Sequence, residues 1–122
     1  MPDLEPVTLV LLRWGERAQD LTEEELAALQ ERHLAYQQKM RDEGHMLAGG
    51  PFEAQPDIGW RGLCLYGVDL EQARTLAEED PMVKAGRLRI EAWRWWFQAG
   101  ELAFPRRSHP RAPGDQETQG SP

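Results

Sequence analysis

Asp80 stands in the stretch Leu-Ala-Glu-Glu-Asp-Pro-Met-Val-Lys-Ala-Gly at residues 76–86, where helix-forming residues run into a proline. A residue before proline is pushed out of the α region, so a helix over residues 70–79 must stop here and Asp80 is held at a bend. Its side chain can accept from the free N–H groups of Met82 and Val83, with Pro81 opening a new short turn that Gly86 ends. A carboxylate fixed in this way either caps the turn or orients a second group that moves protons. The second use needs a partner. His33 lies in the middle of a helix face otherwise made of Leu26, Leu29, Tyr36 and Met40. Imidazole has an ordinary pKa of about 6.5, so it can accept a proton near neutral pH and return it to another atom. A carboxylate beside it fixes the tautomer and steadies the imidazolium. Taken singly, Asp80 reads first as a cap, and His33 equally as a core histidine bonded to a carbonyl or a water.

Other reactive side chains point elsewhere. Cys64 falls within an apolar strand and reads as core, since free cysteine is commonly buried, and no other nucleophile is evident. His33, His45 and His109 lack ligand-like spacing and have no cysteine beside them in sequence, so no metal site is expected. His45 reads as a surface residue at a strand end. Trp93, Trp95, Trp96 and Phe97 could hold an aromatic substrate, but large aromatics near a last strand more commonly cover a core or an interface, and an interface is the reading favoured. Arg106, Arg107 and Arg111, interrupted by prolines and followed by Asp115 and Glu117, form a solubilising patch rather than a recognition site.

Fourteen basic against 21 acidic residues leave a net charge of −7, which works against phosphate backbones and anionic membranes. Nucleic acid and membrane are not expected partners. The apolar run at residues 9–12 is far short of the roughly 20 residues that span a bilayer. A single cysteine cannot make an internal disulfide, and the start Met-Pro-Asp-Leu-Glu has no signal-peptide character, so a cytoplasmic setting is expected.

The elements that must position His33 and Asp80 follow from periodicity. Residues 7–13 are a continuous apolar run of central-strand type, which needs covering on both faces. Thr22 and Glu25 form a capping box that starts a helix, and Gly44 ends it. Residues 45–52 form a short strand whose glycines suit an edge or a close approach to the backbone. Residues 60–68 form its hairpin partner, and Asp69 caps a second helix with Ala73, Leu76 and Ala77 on its inner side. Leu88, Ile90 and Ala92 then alternate with Arg89, Glu91 and Trp93, the period of a fourth strand. The order predicts an α+β, ferredoxin-like βαββαβ fold: a four-stranded antiparallel sheet with two helices on one face and the other face bare. Residues 1–99 form this one domain. Residues 100–122 are expected to be a disordered tail, since from Pro105 onward the chain has four prolines and no aliphatic residue larger than alanine.

Arg32-His33-Leu34, then Gly44, Leu47 and Gly50-Pro51, then an alanine-bearing helix ending in Asp80-Pro81 with Ala85-Gly86, resembles the YciI-like (YCII-related) family over roughly residues 7–97. Two positions depart from its pattern: Met82 stands where an aromatic commonly follows Asp-Pro, and Trp95 where proline is common after the fourth strand. The resemblance implies small cytoplasmic proteins that pair sheet to sheet as dimeric α+β barrels. It implies a His-Asp pair in a cleft, falling here on His33 and Asp80, with Arg32, Gly50, Pro51, Met82 and Gly86 at the substrate pocket. Related barrels include muconolactone isomerase and a chlorohydroxyhydroquinone dehydrochlorinase, which move protons on oxygenated rings.

Two function classes remain. One is a homodimeric enzyme in which His33 is general acid/base and Asp80 its orienting group, acting without a cofactor on a small organic substrate by isomerisation or elimination. The other is a non-catalytic homodimer that binds a small ligand or serves as an accessory module. The pairing of His33 with Asp80 separates them, because a binding module has no need of a titrating group beside a carboxylate.

Overall fold

A computed structural model of the chain describes residues 3–55 and 58–105. Its elements run β1 (Leu4–Trp14), α1 (Glu23–Asp42), β2 (Met46–Pro51), β3 (Trp60–Tyr66), α2 (Leu70–Glu78), the single turn α3 (Pro81–Lys84) and β4 (Leu88–Gln98). The strand order is β2-β3-β1-β4 and each pairing is antiparallel, which is the ferredoxin-like topology. β1 is longer than its apolar run because β4 pairs with it from end to end, from Leu4 opposite Gln98 to Trp14 opposite Leu88.

Alternation along β1 sorts its side chains. Val10 and Leu12 join Met40 of α1, Cys64 and Tyr66 of β3, and Ala73 and Ala77 of α2 in the core between sheet and helices. Fully burying a valine such as Val10 contributes about 1.5–3 kcal/mol. Val7, Leu9 and Leu11 point the other way, as do Leu63 and Leu65 beside them on β3 and Trp93 and Trp95 on β4. On that face the leucines are half-buried, while Trp93 and Trp95 are 59% and 43% exposed. The aromatic cluster is therefore divided rather than a single patch. Phe97 is buried and packs on Trp95, with ring centroids 5.5 Å apart, whereas Trp96 alternates to the opposite face and lies exposed near Arg94.

The helix ends follow their caps. Glu25 N–H donates to Thr22 Oγ1 at 3.1 Å and Thr22 N–H to Glu25 Oε1 at 2.8 Å, the reciprocal pair that starts α1. Glu23, Glu24 and Glu25 in its first turn and Lys39 and Arg41 in its last complement the helix dipole. Asp69 accepts from Gln72 N–H at 2.8 Å and starts α2. Among the described residues no helix is long and apolar enough to cross a membrane. After β4 the described chain carries no regular element, and the rest of the expected tail, with Arg106, Arg107 and Arg111, lies outside the described residues.

Candidate active site

α2 stops at Glu79 because Asp80 takes an extended conformation (φ −60°, ψ 130°) and Pro81 occupies the first position of α3. Asp80 Oδ1 accepts from Met82 N–H at 2.9 Å; the N–H of Val83, the other donor expected for that side chain, goes instead to the Asp80 carbonyl at 2.9 Å. The same carboxylate meets His33 of α1. His33 Nδ1 lies 2.7 Å from Oδ2 and 2.9 Å from Oδ1, with the two side chains only 12% and 6% exposed. Asp80 is thus a cap and a histidine partner at once. With the carboxylate ionised, Nδ1 is the donor and Nε2 is left with its lone pair.

Tyr36, one turn beyond His33, holds the two helices at this spacing by donating its hydroxyl to the Leu76 carbonyl at 2.6 Å. Burial, followed by the nearby charges of Glu79 and Asp80, pushes the Tyr36 phenol above its ordinary pKa, so it stays a donor.

His33 lines a cleft of about 610 Å³ between α1 and the sheet. Gln30, Gln37 and Arg41 present the same side of α1 to it, Leu12 and Trp14 of β1 and Gly49, Gly50 and Pro51 of β2 form its floor, and Met82, Arg61 and Arg87 close it. Gly50, Pro51 and Met82, which the family resemblance implies at the pocket, line this cleft. Arg32 does not: it is exposed on α1, turned about 100° from His33 to the side away from Gln30, Leu34 and Gln37, which line the cleft. Gly86 does not either. It makes the turn into β4 with φ +80°, its carbonyl accepting from Arg17 N–H at 2.9 Å, and the residue after it reaches the cleft.

Cys64 is buried beneath the cleft, and burial pushes its thiol up to about 12, so it stays protonated and unreactive as a nucleophile. His45 lies at the α1–β2 turn, 3.5 Å from Glu43. Among the described residues no three or more His, Cys, Asp or Glu side chains converge as metal ligands do. Sequence reasoning missed Trp14, Arg41, Arg61 and Arg87. Arg41 had a signal, since it stands eight residues from His33 on the same helical stripe; the others did not.

A ferredoxin-like α+β domain with a buried His-carboxylate contact at the wall of a helix-sheet cleft is the class that the fold and site define. The YCII-related domain matches residues 9–95, and the chain belongs to that family. No curated protein matches the sequence. One similar solved structure is 5-chloro-2-hydroxyhydroquinone dehydrochlorinase from Burkholderia phenoliruptrix in complex with 2,5-dihydroxybenzoquinone, at 20% identity and a TM-score of 0.49, covering 73% of this chain and 92% of that one. Another is a dimeric ferredoxin-like protein of unknown function from Thermobifida fusca, at 13% identity and a TM-score of 0.35, covering 76% and 89%.

Proposed function

We propose that this protein is a small-molecule enzyme that moves protons, with His33 as general acid/base and Asp80 as the group that orients it. The observation that carries the reading is the contact of His33 Nδ1 with both Asp80 oxygens at 2.7 and 2.9 Å, at the wall of a cleft large enough for a metabolite. Nε2 takes a proton from a carbon or hydroxyl of the bound molecule. The imidazolium that forms is stabilised by the adjacent carboxylate and gives the proton back at a second atom, or to a leaving group. Isomerisation and elimination both reduce to these two transfers, and neither needs a cofactor. A positioned acid/base contributes about 10²- to 10⁴-fold.

We also infer a cytoplasmic homodimer closed through the bare sheet face. Leu9, Leu11, Leu63 and Leu65, half-buried, and Trp93 and Trp95, exposed, lie side by side there, beside the Arg13–Glu91 ion pair, and contiguous apolar surface of this kind commonly marks an interface. A second copy packed face to face would cover it with the same residues under two-fold symmetry.

The test of the catalytic reading is deuterium uptake. A pool of small metabolites in heavy water is incubated with the protein and followed by proton NMR. The parent should label a carbon-bound position, and His33→Gln should lose that labelling by the factor above. Equal labelling by parent and variant would reject the role of His33.

A further inference from the structure

The cleft is cationic although the chain as a whole is acidic, with a net charge of −7. Arg41, Arg61 and Arg87 all line it, and no Asp or Glu does. Among the described residues none of the three makes an ion pair. Two of them are gathered on one aromatic ring: the guanidinium carbons of Arg61 and Arg87 lie 4.4 and 4.3 Å from the centre of Trp14. Stacking on an indole satisfies the face of a guanidinium and leaves its edge, where the N–H donors are, free to bind something else. Arg87 spends one donor on the Ala18 carbonyl; Arg61 makes no side-chain hydrogen bond among the described residues. Burial, and then the neighbouring Arg61 charge, lowers the pKa of Arg87, the condition of a cation held near another cation without an anion between them.

Arg61 reaches this place through a backbone irregularity. Between β1 and β3, Leu12 pairs with Gly62 but Arg13 pairs with Trp60, so Arg61 is the extra residue of a bulge. In unbroken register Arg61 would oppose Arg13 and share its face of the sheet, away from the helices. The bulge re-aims it onto Trp14 and into the cleft. Bulges commonly turn a side chain toward a site in this way.

We infer that Arg61 and Arg87, held on Trp14, are an oxyanion subsite of the cleft, and that the molecule His33 acts on is a small organic carboxylate. The substrate class rests on the acid/base reading of the cleft; the subsite does not. A carboxylate presents two coplanar oxygens, which match the paired N–H groups of a guanidinium edge; one such edge balances its charge and a second beside it supplies further donors. Anchored there, the rest of the molecule extends along the floor of the cleft past His33.

The test is an NMR titration of the full-length protein with benzoate, its neutral isostere benzamide, and phenyl phosphate, reading the Arg61 and Arg87 Nε–H and Trp14 indole N–H signals. Benzoate should move all three to saturation and bind at least tenfold tighter than benzamide, and Arg61→Gln should weaken it by about 10- to 100-fold, the worth of a hydrogen bond to a charged group. Arg61→Gln is chosen because Arg87 also ties down Ala18 and its loss could unsettle the fold. Equal binding of benzoate and benzamide, or unmoved arginine signals, would overturn the subsite. Phenyl phosphate that binds much more tightly than benzoate at the same three residues would overturn the carboxylate class. Asp80→Asn separates the two readings, because it removes the orienting charge and leaves the arginines. Lost proton transfer with benzoate binding kept supports both, whereas deuterium uptake in the parent without benzoate binding overturns the subsite alone.

Discussion

The helix-covered face of the sheet and the face opposite it are built from alternate residues of the same strands, and they differ in what they expose. On the helix side a polar pair is held to hydrogen-bond distance, with Tyr36 tying α1 to α2 and Asp80 serving both α3 and His33. On the other side Leu9, Leu11, Leu63 and Leu65 lie beside two exposed tryptophans on an open surface. The first arrangement suits a molecule small enough to enter a cleft, the second a partner as broad as the sheet. Alternation along a strand keeps the two faces independent, because each substitution reaches only one of them.

The largest expected effect breaks the cleft alone. His33→Gln should cost proton transfer about 10²- to 10⁴-fold and leave the sedimentation coefficient unchanged. Asp80→Asn should act in the same direction with a melting temperature near the parent's, since asparagine keeps the acceptor for Met82 N–H while losing the charge that favours imidazolium. If melting falls in step with activity, Asp80 is only a cap.

The next effect breaks the opposite face alone. Leu11→Asp puts a charge at the centre of the bare face and should weaken the dimer by at least roughly 2 kcal/mol, about thirtyfold in dissociation constant, as sedimentation equilibrium would show. An unchanged parent-like monomer in both proteins would contradict the assembly.

Smaller effects sharpen the comparison. Tyr36→Phe removes the bond to the Leu76 carbonyl and should cost about 0.5–1.5 kcal/mol in urea unfolding, with a measurable loss of activity because α1 is no longer pinned opposite Asp80. Cys64 gives a pH dependence on the helix side. Its thiol is raised to about 12 in the folded chain, so above pH 9 the unfolded thiol loses its proton while the folded one keeps it. The unfolded state then binds fewer protons, and stability should decline as pH rises from about 9 toward 12. Cys64→Ala should remove the part of the decline that begins near pH 9, while the part above about pH 10 stays, because burial also pushes the Tyr36 and Tyr66 phenols up; an unchanged slope between pH 9 and 10 would assign that part to other groups.

Much of this was legible in the chain. The capping box at Thr22 and Glu25, the acceptor at Asp69 and the break at Asp80-Pro81 act over three or four residues, so local chemistry sets the helix ends without help from the fold. β1 and β4 could be read from their hydrophobic patterns, though not their full length, which comes from pairing with each other. Each half of the His33-Asp80 contact could be placed locally, but their meeting depends on how α1 packs over α3, and only the family resemblance joined them in advance. Arg61 could not be foreseen, because a bulge reverses the face that simple alternation assigns. Arg32 was misplaced because the cleft meets the side of α1 that carries Gln30, Leu34 and Gln37, and Arg32 projects from the other side.

In the proposed mechanism Asp80 holds His33 as a base at Nε2. Nitrogen-15 NMR of the His33 ring at a pH where it is neutral tests this most directly. The parent ring should be the Nδ1–H tautomer and should shift toward the Nε2–H tautomer in Asp80→Asn; a parent ring protonated at Nε2 and bare at Nδ1 would contradict this role of Asp80.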